Sequence, residues 1–399
     1  MTRPSSTSTT ATAPTQQTLL QPGKTIGIVG GGQLGRMLTR EVRRMGYRAV
    51  VFTDEYPPSP AGQLADREIN APYYDPEATA TFIREIDVAT LEFENIPADL
   101  LTAIEQRVPV YPSQHALTIC QNREKEKTFL RQHGIPHAEF RVVDSGESLD
   151  AAIQELGTPC VLKTAAFGYD GKGQRKITQV EDWDKVWQEF GAGRGVLEQW
   201  VDFQCEVSVV CARSIAGDIS HFPLAENIHI NQILDTTIVP ARCSTDALVK
   251  QANELATEIA EALGFVGTFC VELFIAQDGS LLVNEMAPRP HNSGHFTIDA
   301  CRTNQFEQQL RAVAGLPLGD PALQSSVVMK NLLGDLWLSP TEAPDWSSVL
   351  AEPNTKLHLY GKRVGRPGRK MGHFCVLGDP EQALKTADRL FKKLVEQGK

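Results

Sequence analysis

Two glutamates, Glu272 and Glu285, lie in neighbouring strand-like segments and are the residues best suited to hold a cation. The segments are 269–275 (FCVELFI) and 280–286 (SLLVNEM), which are rich in residue types that strands favour. The dipeptide Asp-Gly at positions 278 and 279 separates them and is the strongest short signal for a β-hairpin. The sequence therefore predicts two antiparallel strands with an acidic residue on each.

The predicted loop decides which residues face each other. If positions 278 and 279 form a two-residue loop, Gln277 pairs with Ser280, and counting back pairs Glu272 with Glu285. Directly opposed side chains have Cβ atoms about 4.5–5.5 Å apart, so the two carboxylates repel each other. A divalent cation removes that repulsion, and Mg²⁺ prefers carboxylate and phosphate oxygens. An exposed edge hairpin with two solvated glutamates is the alternative interpretation.

A glycine-rich segment follows the short apolar strand that ends at Lys163. Its backbone amides can approach phosphate oxygens closely because glycine has no side chain, and Lys163 and Lys172 would add positive charge. The spacing differs from that of a P-loop, so we expect a flap of two strands joined by the loop. An ordinary surface hairpin is the alternative. The segment consists of Gly168, Tyr169, Asp170, Gly171, Lys172, Gly173 and Gln174.

A third strand-like run, 195–201 (GVLEQWV), is suited to border the same nucleotide. Its backbone groups would hold the adenine edge, and Glu198 or Glu206 would accept a hydrogen bond from a ribose hydroxyl. Taken alone, either glutamate would more often be a plain surface residue.

The N-terminal part carries a different nucleotide signal. The strand-like segment 25–29 (TIGIV) precedes a G-x-G-x-x-G turn at 30–35, a predicted helix to about Met45, a strand at 48–52 and Asp54. This is the fingerprint of a dinucleotide site, in which an anion lies at a helix N-terminus. It does not distinguish a pyrophosphate from a sugar phosphate, and the glycines are also compatible with tight strand–helix packing alone.

The composition is that of a globular protein with an acidic balance. The chain has 399 residues, of which 41% are hydrophobic and 22% charged, and its net charge is −10. The acidic balance argues against nucleic acid as the main partner, so local basic clusters must meet any anionic substrate. No run approaches the ~18 apolar residues of a membrane span, and we expect no membrane partner.

The eight cysteines are scattered along the chain without a C-x-x-C motif. This pattern predicts neither a zinc site nor a disulfide framework. We therefore expect buried free thiols and a cytoplasmic location, where thiols stay reduced.

Turn signals and composition divide the chain into five parts. Residues 1–23, rich in Ser, Thr and Gln, predict a disordered tail, and 24–133 form a Rossmann-like domain. Residues 134–200 hold the flap, 201–335 hold the acidic hairpin, and 336–399 form a small C-terminal module.

Taken together, these motifs resemble the ATP-grasp superfamily, and the Gly-Gln-Leu-Gly turn at 32–35 resembles the substrate-phosphate loop of its purine-biosynthesis branch. A narrower resemblance, to the N5-carboxyaminoimidazole ribonucleotide synthetase family, covers roughly residues 24 to 395. That resemblance is carried by the segments 284–295 (NEMAPRPHNSGH), 360–362 (YGK) and 366–373 (RPGRKMGH).

The resemblance implies an α/β fold of the ATP-grasp type. Its parts are an N-terminal Rossmann-like domain with a parallel sheet, a small α+β lid, and a larger α+β domain with a small β-rich C-terminal module. ATP is the implied co-substrate and Mg²⁺, one or two ions, the implied cofactor, with Glu272 and Glu285 as metal ligands. The implied ATP contacts are Arg123, Lys163, Gly168 to Gln174, Glu198, Gln199, Trp200, Val201, Glu206, His229, Asn284 and Glu285.

The resemblance also implies a site for 5-aminoimidazole ribonucleotide. Arg289 would hold bicarbonate or carboxyphosphate, whose oxygens suit its planar fork. Asp170 and Lys362 would manage the proton on the attacking amine or the release of CO₂. The implied substrate contacts are Gln33, Leu34, Glu92, His291, Asn292, Ser293, Lys362, Arg369 and Lys370.

The implied reaction converts 5-aminoimidazole ribonucleotide, ATP and bicarbonate into N5-carboxyaminoimidazole ribonucleotide, ADP and phosphate, and the family suggests a homodimer. One alternative is another ATP-grasp ligase, such as a formate-dependent glycinamide ribonucleotide transformylase. A second, a nicotinamide-dependent oxidoreductase, explains residues 30–54 but leaves the flap and the acidic hairpin without a role. A third is a non-catalytic nucleotide-binding regulator.

Overall fold

A computed structural model describes residues 19–166 and 173–398. Most of the predicted N-terminal tail lies outside the described residues, and so do the predicted flap positions Gly168, Tyr169, Asp170, Gly171 and Lys172.

The N-terminal region is a parallel five-stranded sheet in the order β3-β2-β1-β4-β5, with helices on both faces. Its strands are β1 (Thr25–Val29), β2 (Arg48–Thr53), β3 (Arg67–Asn70), β4 (Val88–Leu91) and β5 (Val110–Tyr111). Its helices are α1 (Gln33–Arg44), α2 (Pro76–Glu85), α3 (Ala98–Glu105) and α4 (Gln114–Cys120). The next helix, α5 (Arg123–Gln132), packs Phe129 and Leu130 into a separate core that contains Val207 and Val271. The predicted strand–turn–helix start is confirmed, because β1 ends one turn before α1 begins.

A small antiparallel sheet follows in the order β6-β9-β7-β8, and two helices cover one of its faces. It is built from β6 (Phe140–Val143), α6 (Gly146–Leu156), β7 (Cys160–Thr164), β8 (Gln174–Ile177), α7 (Trp183–Phe190) and β9 (Gly195–Gln199). Lys163 in β7 pairs with Gln174 in β8, so two adjacent strands flank the glycine segment as predicted.

A large antiparallel sheet forms the rest of the molecule, in the order β15-β14-β10-β12-β13-β16-β18-β17 with β11 beside β10. Its strands are β10 (Phe203–Arg213), β11 (Ile219–His221), β12 (Ala225–Ile230), β13 (Ile233–Val239), β14 (Gly267–Ala276), β15 (Leu281–Ala287), β16 (Val327–Leu333), β17 (Thr355–Leu359) and β18 (Lys370–Leu377). The helices are α8 (Asp246–Ala262), α9 (Thr297–Ala300), α10 (Gln305–Val313), α11 (Ser347–Leu350) and α12 (Pro380–Gln397).

Helix α10 joins the large sheet to the N-terminal region. Its buried Phe306 and Leu310 share one apolar core with Ile26 and Leu38. The amide of Gln309 donates to the Thr90 hydroxyl on β4 at 2.7 Å, in a buried position. These contacts fix the carboxyl end of the parallel sheet beside the large sheet, where the predicted site residues meet.

The hairpin loop between β14 and β15 differs from the prediction. Ala276 N donates to Ser280 O at 2.9 Å, so three residues rather than two form the loop. Gly279 has φ +83°, the left-handed conformation that a three-residue hairpin loop requires at its last position. The Asp-Gly signal thus located the turn correctly, but the predicted two-residue loop was wrong.

A β-bulge restores the predicted pairing of the glutamates. Next to the loop, Leu273 pairs with Val283, but the register then shifts and Glu272 pairs with Glu285. Asn284 is the extra residue of the bulge, which one strand of an antiparallel pair accommodates by bending locally. The predicted opposition of the two glutamates is confirmed, although a longer loop and a bulge produce it together.

The prediction of free thiols was wrong for two cysteines. Cys205 in β10 and Cys243, which follows β13, form a disulfide across 38 residues of sequence. The fold brings their Cα atoms to 6.7 Å, a proximity that scattered spacing does not reveal. The other six cysteines are free, and five of those are buried.

The large sheet continues through the predicted boundary at residues 335 and 336. Strand β16 pairs with β13 on one side and with β18 on the other. The strands of one sheet thus come from both sides of this boundary, and the division of the chain into five parts stays a prediction. Across the described ranges, no helix combines the length and the apolar character needed to cross a membrane.

Candidate active site

A cleft of about 470 Å³ lies between the small sheet and the large sheet. Strands β7 to β9 line one side, and β10, β12, β14 and β15 line the other. The cleft brings together the described residues predicted to bind ATP and metal, and four of those predicted around Arg289 and the substrate. These lining residues are Arg123, Lys163, Gly173, Gln174, Glu198, Gln199, Trp200, Val201, Glu206, His229, Glu272, Asn284, Glu285, Arg289, His291, Asn292 and Lys370.

The acidic side of the cleft is the β14–β15 hairpin. Burial raises the pKa of Glu272 to about 7, and repulsion by Glu285 adds to the rise. His291 Nε2 lies 3.4 Å from Glu272 Oε1, but burial and nearby cations hold the pKa of His291 well below its usual value. A neutral imidazole does not neutralise the glutamate pair, so this side carries an excess of negative charge.

His229 and Glu206 extend the acidic side along β12 and β10. His229 Nδ1 makes a short hydrogen bond to the Glu206 carboxylate. Burial lowers the pKa of His229, but the hydrogen bond to Glu206 and the charges of Glu272 and Glu206 outweigh burial and raise it. The histidine is therefore held in place by its neighbours and is not a free surface residue.

The opposite side of the cleft is basic and centres on Glu198 of β9. Lys163 Nζ lies 2.9 Å from Glu198 Oε2, Lys127 Nζ lies 3.5 Å from the same oxygen, and Arg123 lies 3.7 Å from Oε1. Burial would raise the pKa of Glu198, but the three cations outweigh it and lower that pKa to about 2. One carboxylate thus organises three positive charges, and two of those side chains, Lys163 and Arg123, line the cleft.

Helix α5 supplies two of these cations because of where it begins. The Asn122 side chain accepts from Lys125 N at 3.1 Å and caps the helix. Arg123 and Lys127 follow four residues apart, so both project from the same face. Arg123 also lies 3.4 Å from Glu285 Oε2, which connects the basic side with the acidic one.

Trp200 and Gln174 lie near the outer end of the cleft. Trp200 is partly exposed, and Lys176 Nζ lies 3.3 Å from the centre of its ring. The Gln174 amide makes a short hydrogen bond to Gln232, which bridges the small sheet to the turn between β12 and β13. The Gln174–Gln232 contact therefore connects the two sheets beside the cleft.

Arg289 occupies the inner end of the cleft and is held by Glu94. Its Nε makes a short hydrogen bond to Glu94 Oε2, and its terminal nitrogen donates to Oε1 at 3.0 Å. Burial alone would raise the pKa of Glu94. The charge of the neighbouring Arg289 guanidinium outweighs burial and lowers that pKa. The predicted anion-binding arginine is thus aimed by a residue 195 positions earlier in the chain.

The predicted substrate residues in the segment after β15 differ in whether their side chains contact other protein groups or face the cleft. Ser293 is fully buried, and its hydroxyl lies 2.8 Å from Ser208 and 2.9 Å from His291 Nδ1, so it orients the imidazole. Asn292 lines the cleft, and both polar atoms of its side chain are buried without a hydrogen-bond partner among the described residues. Such orphaned atoms are typical of a group that awaits a ligand or water.

The glycine turn at α1 holds a carboxylate of the protein itself. Glu92 is buried and accepts hydrogen bonds from Gly32 N at 2.9 Å and Gly35 N at 3.0 Å. Burial raises the pKa of Glu92, and the two amides only partly offset that effect. Gln33 and Leu34 supply the remaining amides of the first turn, beside this carboxylate.

Lys362 and Arg369 lie beside that turn and outside the main cleft lining. Lys362 Nζ donates to Lys370 O at 2.8 Å, and Arg369 donates to Val364 O at 2.9 Å. Burial and the charge of Arg369 lower the pKa of Lys362 to about 8. The charges of Lys362 and Glu92 influence each other, so the turn and the C-terminal loop form one electrostatic unit.

Sequence reasoning missed four acidic or basic residues of this region. Glu94 follows β4 at the carboxyl edge of the parallel sheet, a place where ligands bind in such sheets, and that position was a usable signal. Lys127 and Glu126 lie in a highly charged helix that reads as exposed, yet both are buried. The fourth is Glu55, two residues after the end of β2, whose pKa is raised by burial.

Glu126 borders a cavity of about 30 Å³ beside Arg123 and Glu285. Its Oε1 has no hydrogen-bond partner among the described residues, and burial raises the pKa of Glu126 to about 8. The space accommodates one water molecule.

The donor set of the acidic side suits Mg²⁺. Hard carboxylate oxygens from two adjacent strands face a cleft whose opposite side is lined by cations suited to phosphates. Burial and the charge of Glu285 raise the pKa of Glu272, so the positive charge near Glu272 does not offset them. A divalent cation with nucleotide phosphates would add positive charge there.

Three family models match successive parts of the chain. The ribonucleotide synthetase preATP-grasp domain matches residues 23–121, and the ATP-grasp domain matches 128–306. The phosphoribosylaminoimidazole carboxylase C-terminal domain matches residues 327–387.

Full-length relatives share both the sequence and the fold. N5-carboxyaminoimidazole ribonucleotide synthase of Bacillus subtilis is 45% identical over 363 residues, which are 91% of this chain and 94% of the relative. A crystal structure of an N5-carboxyaminoimidazole ribonucleotide synthetase with ADP superposes with a TM-score of 0.88 at 43% identity, covering 96% of this chain and 99% of the other.

A more distant structure contains the second ligand as well. The N5-carboxyaminoimidazole synthase of Aspergillus clavatus, in complex with ADP and 5-aminoimidazole ribonucleotide, has a TM-score of 0.84 at 30% identity. The match covers 94% of this chain and 99% of that structure.

Proposed function

This chain belongs to the family of N5-carboxyaminoimidazole ribonucleotide synthases, and we propose that the two sides of its cleft divide the reaction between them. The enzyme is an ATP-grasp ligase that carboxylates 5-aminoimidazole ribonucleotide at the expense of ATP, in purine biosynthesis. The observation that carries the proposal is the acidic pair Glu272 and Glu285 facing the cations around Glu198 across one cleft.

The basic side would bind the ATP phosphates. Lys163 and Arg123 are already clustered by Glu198, so little side-chain freedom is lost when phosphates arrive. Glu272 and Glu285 would hold Mg²⁺, which supplies charge neutralisation on the transferring phosphoryl group. The glycine segment at 168–174 would cover the phosphates from the strands β7 and β8.

Bicarbonate is proposed as the source of the carboxyl group. Its carbon is a poor electrophile and hydroxide is a poor leaving group, so transfer of the γ-phosphoryl group to form carboxyphosphate makes the carbon reactive. The guanidinium of Arg289 would hold these oxygens, since Glu94 fixes its orientation and its fork suits planar oxyanions. The work of the protein is then positioning, charge stabilisation and exclusion of water.

The ribonucleotide would lie between the inner end of the cleft and the turn at α1. Its phosphate would bind near Gln33, Leu34, Arg369 and Lys370, and its aminoimidazole near His291 and Asn292. The unsatisfied amide of Asn292 supports that placement. Glu92 occupies the amides of Gly32 and Gly35, so we assign it to shaping this pocket.

Lys362 is the proposed proton-handling group, together with Asp170. A lysine whose pKa is lowered to about 8 is neutral in about a tenth of the molecules at pH 7, and that fraction can accept a proton from the attacking amine. Asp170 lies outside the described residues, so its part in the proposal rests on the family resemblance alone.

Phosphate release from ATP tests the function directly. We expect release only when both 5-aminoimidazole ribonucleotide and bicarbonate are present, with one phosphate formed per ribonucleotide carboxylated. Formate and glycinamide ribonucleotide, the substrates of the rival ATP-grasp ligase, should give no release. Turnover with those substrates instead, or binding of a nicotinamide cofactor, would contradict the proposal.

We also propose that the enzyme works in the cytoplasm as a homodimer, as the resemblance suggests. Sedimentation of the purified protein at micromolar concentration measures the assembly state. A single monomeric species at all concentrations would contradict the dimer without affecting the assignment of the reaction.

A further inference from the structure

Lys127 is a fully buried lysine that none of the predicted nucleotide or substrate contacts includes. Its Nζ donates to Asn284 O at 2.9 Å and to Val283 O at 3.4 Å, and it lies 3.5 Å from Glu198 Oε2. An ammonium group has three N–H donors, and the structure provides these three acceptors. Burying such a charge is costly without partners, so the geometry of all three contacts matters.

The carbonyl that Lys127 contacts most closely belongs to the bulge residue of the acidic hairpin. Asn284 has no partner residue in β14, because the register shifts between Glu272 and Leu273. A bulge interrupts the hydrogen bonds of the strand ladder, so the polar groups of the extra residue need another partner. The ammonium of Lys127, approaching from α5, is such a partner for the Asn284 carbonyl.

The bulge decides which residue faces Glu272. Nearer the loop, Leu273 pairs with Val283 and Phe274 with Leu282; continued without a bulge, that register would place Asn284 opposite Glu272. A shift of one residue turns a side chain to the other face of a sheet. Glu285 would then leave the cleft face, and the acidic pair would be lost.

We propose that Lys127 is a positioning residue that stabilises the β-bulge at Asn284 and so holds Glu285 opposite Glu272. Through Glu198, the same ammonium ties the hairpin to the basic side of the cleft. The inference rests on the proposed metal role of the two glutamates. It predicts that Lys127 sets the affinity for the metal without touching metal or substrate.

The test compares Lys127→Met with Lys330→Met. Lys330 is also buried in the large sheet and pairs with Asp235 at 2.7 Å, but it does not line the cleft, so it reports the general cost of losing a buried lysine. The measurements are the Mg²⁺ concentration for half-maximal phosphate release at saturating ATP, ribonucleotide and bicarbonate, and the Kd for Mg²⁺ from calorimetric titration of the enzyme with a non-hydrolysable ATP analogue bound, which should shift together. Chemical unfolding of each variant is measured in parallel.

For Lys127→Met we expect that Mg²⁺ concentration to rise by about tenfold to a hundredfold, the usual effect of removing a residue that orients metal ligands. Lys330→Met should lower stability but keep the Mg²⁺ curve within about twofold of the parent enzyme, because its contacts lie outside the hairpin. Equal shifts in both variants would assign the effect to general loosening and overturn the proposal.

Lys127→Gln provides a second variant if Lys127→Met does not fold. Glutamine keeps an N–H donor without the charge, and we expect a smaller shift of about threefold to tenfold. An unchanged Mg²⁺ curve in a folded Lys127 variant overturns the inference. Full activity of Glu285→Gln would instead remove the metal role itself, so the two failures are distinguishable.

Discussion

The two sides of the cleft contain buried carboxylates whose pKa values move in opposite directions. Glu198, surrounded by three cations, has its pKa lowered to about 2, whereas burial and a second glutamate raise the pKa of Glu272 to about 7. Both residues lie on strands that line the same cleft. The difference comes from their neighbours, because burial alone would raise the pKa of both.

This contrast shows that the cleft is polarised before any ligand binds. The basic side carries more positive charge than Glu198 neutralises. On the acidic side Arg123 pairs with Glu285 at 3.4 Å, but Glu272 is contacted by His291, whose pKa is held well below its usual value. A metal–nucleotide complex has the matching distribution, with phosphates on one side and a divalent cation on the other. The polarisation supports the proposal that ATP phosphates bind on the basic side and Mg²⁺ on the acidic side.

The largest expected effect comes from removing charge on the acidic side. Glu285→Gln should reduce ribonucleotide-dependent phosphate release by about a hundredfold to a thousandfold, because the amide is a poor ligand for Mg²⁺. The exposed Glu254→Gln on α8 is the matched control for loss of a carboxylate. Circular dichroism should show an unchanged fold, and a fully active Glu285→Gln variant would remove the metal assignment.

A smaller effect is expected on the basic side. Lys163→Met should raise the KM for ATP by about tenfold to a hundredfold, since a charge-assisted hydrogen bond is lost and Glu198 keeps only two cations. The exposed Lys185→Met on α7 controls for the loss of positive charge. If the KM for ATP stays unchanged while the KM for the ribonucleotide rises, the basic side has been assigned to the wrong ligand.

The pH dependence of stability tests the contrast between Glu272 and Glu198. The pKa of Glu272 is higher in the folded enzyme than in the unfolded chain, so folding is favoured by protonation and weakens as pH rises through about 7. Titration of Glu272 should therefore contribute a loss of about 1 kcal/mol of stability between pH 6 and pH 8 in the metal-free enzyme, and Mg²⁺ with ATP should offset it. The raised pKa of Glu126 adds a loss of the same sign, so the contribution of Glu272 is read from the difference between the parent enzyme and its Glu272 variant. Glu272→Gln should show a flatter profile in thermal unfolding, and an equally steep profile would contradict the assignment.

The smallest effect on turnover is expected at the disulfide. Cys205 packs against the core formed with α8, on the side of β10 away from its neighbour Glu206. Replacing Cys205 and Cys243 by serine should leave kcat and the Mg²⁺ requirement within about twofold, while lowering the free energy of unfolding by roughly 2–4 kcal/mol. A large loss of activity in a folded double variant would show that the disulfide also positions Glu206.

Local signals predicted much of this molecule because neighbours in sequence determine them. The boundaries of β1 and α1 follow from an apolar run and a glycine turn. The opposition of Glu272 and Glu285 was predicted from a turn signal, although the loop proved one residue longer. Two compensating features, the loop and the bulge, made the pairing correct.

Contacts between distant segments escaped prediction. Lys127 meets the Asn284 carbonyl across 157 positions, and Glu94 meets Arg289 across 195. Neither pair leaves a periodic pattern or a fixed spacing in the chain. Each contact is made by an ordinary charged side chain, and the sequence alone does not show whether such a side chain is solvated or buried.

The sequence by itself determined the family, the glycine turn and the pair of acidic strands, because residue type and spacing set local backbone preferences. Only the tertiary structure decided that Glu92 fills the amides at α1, that Glu198 gathers three cations, and that a buried lysine supports the bulge. Those outcomes depend on which charges share a desolvated space, and the packing of separate sheets and helices creates that space.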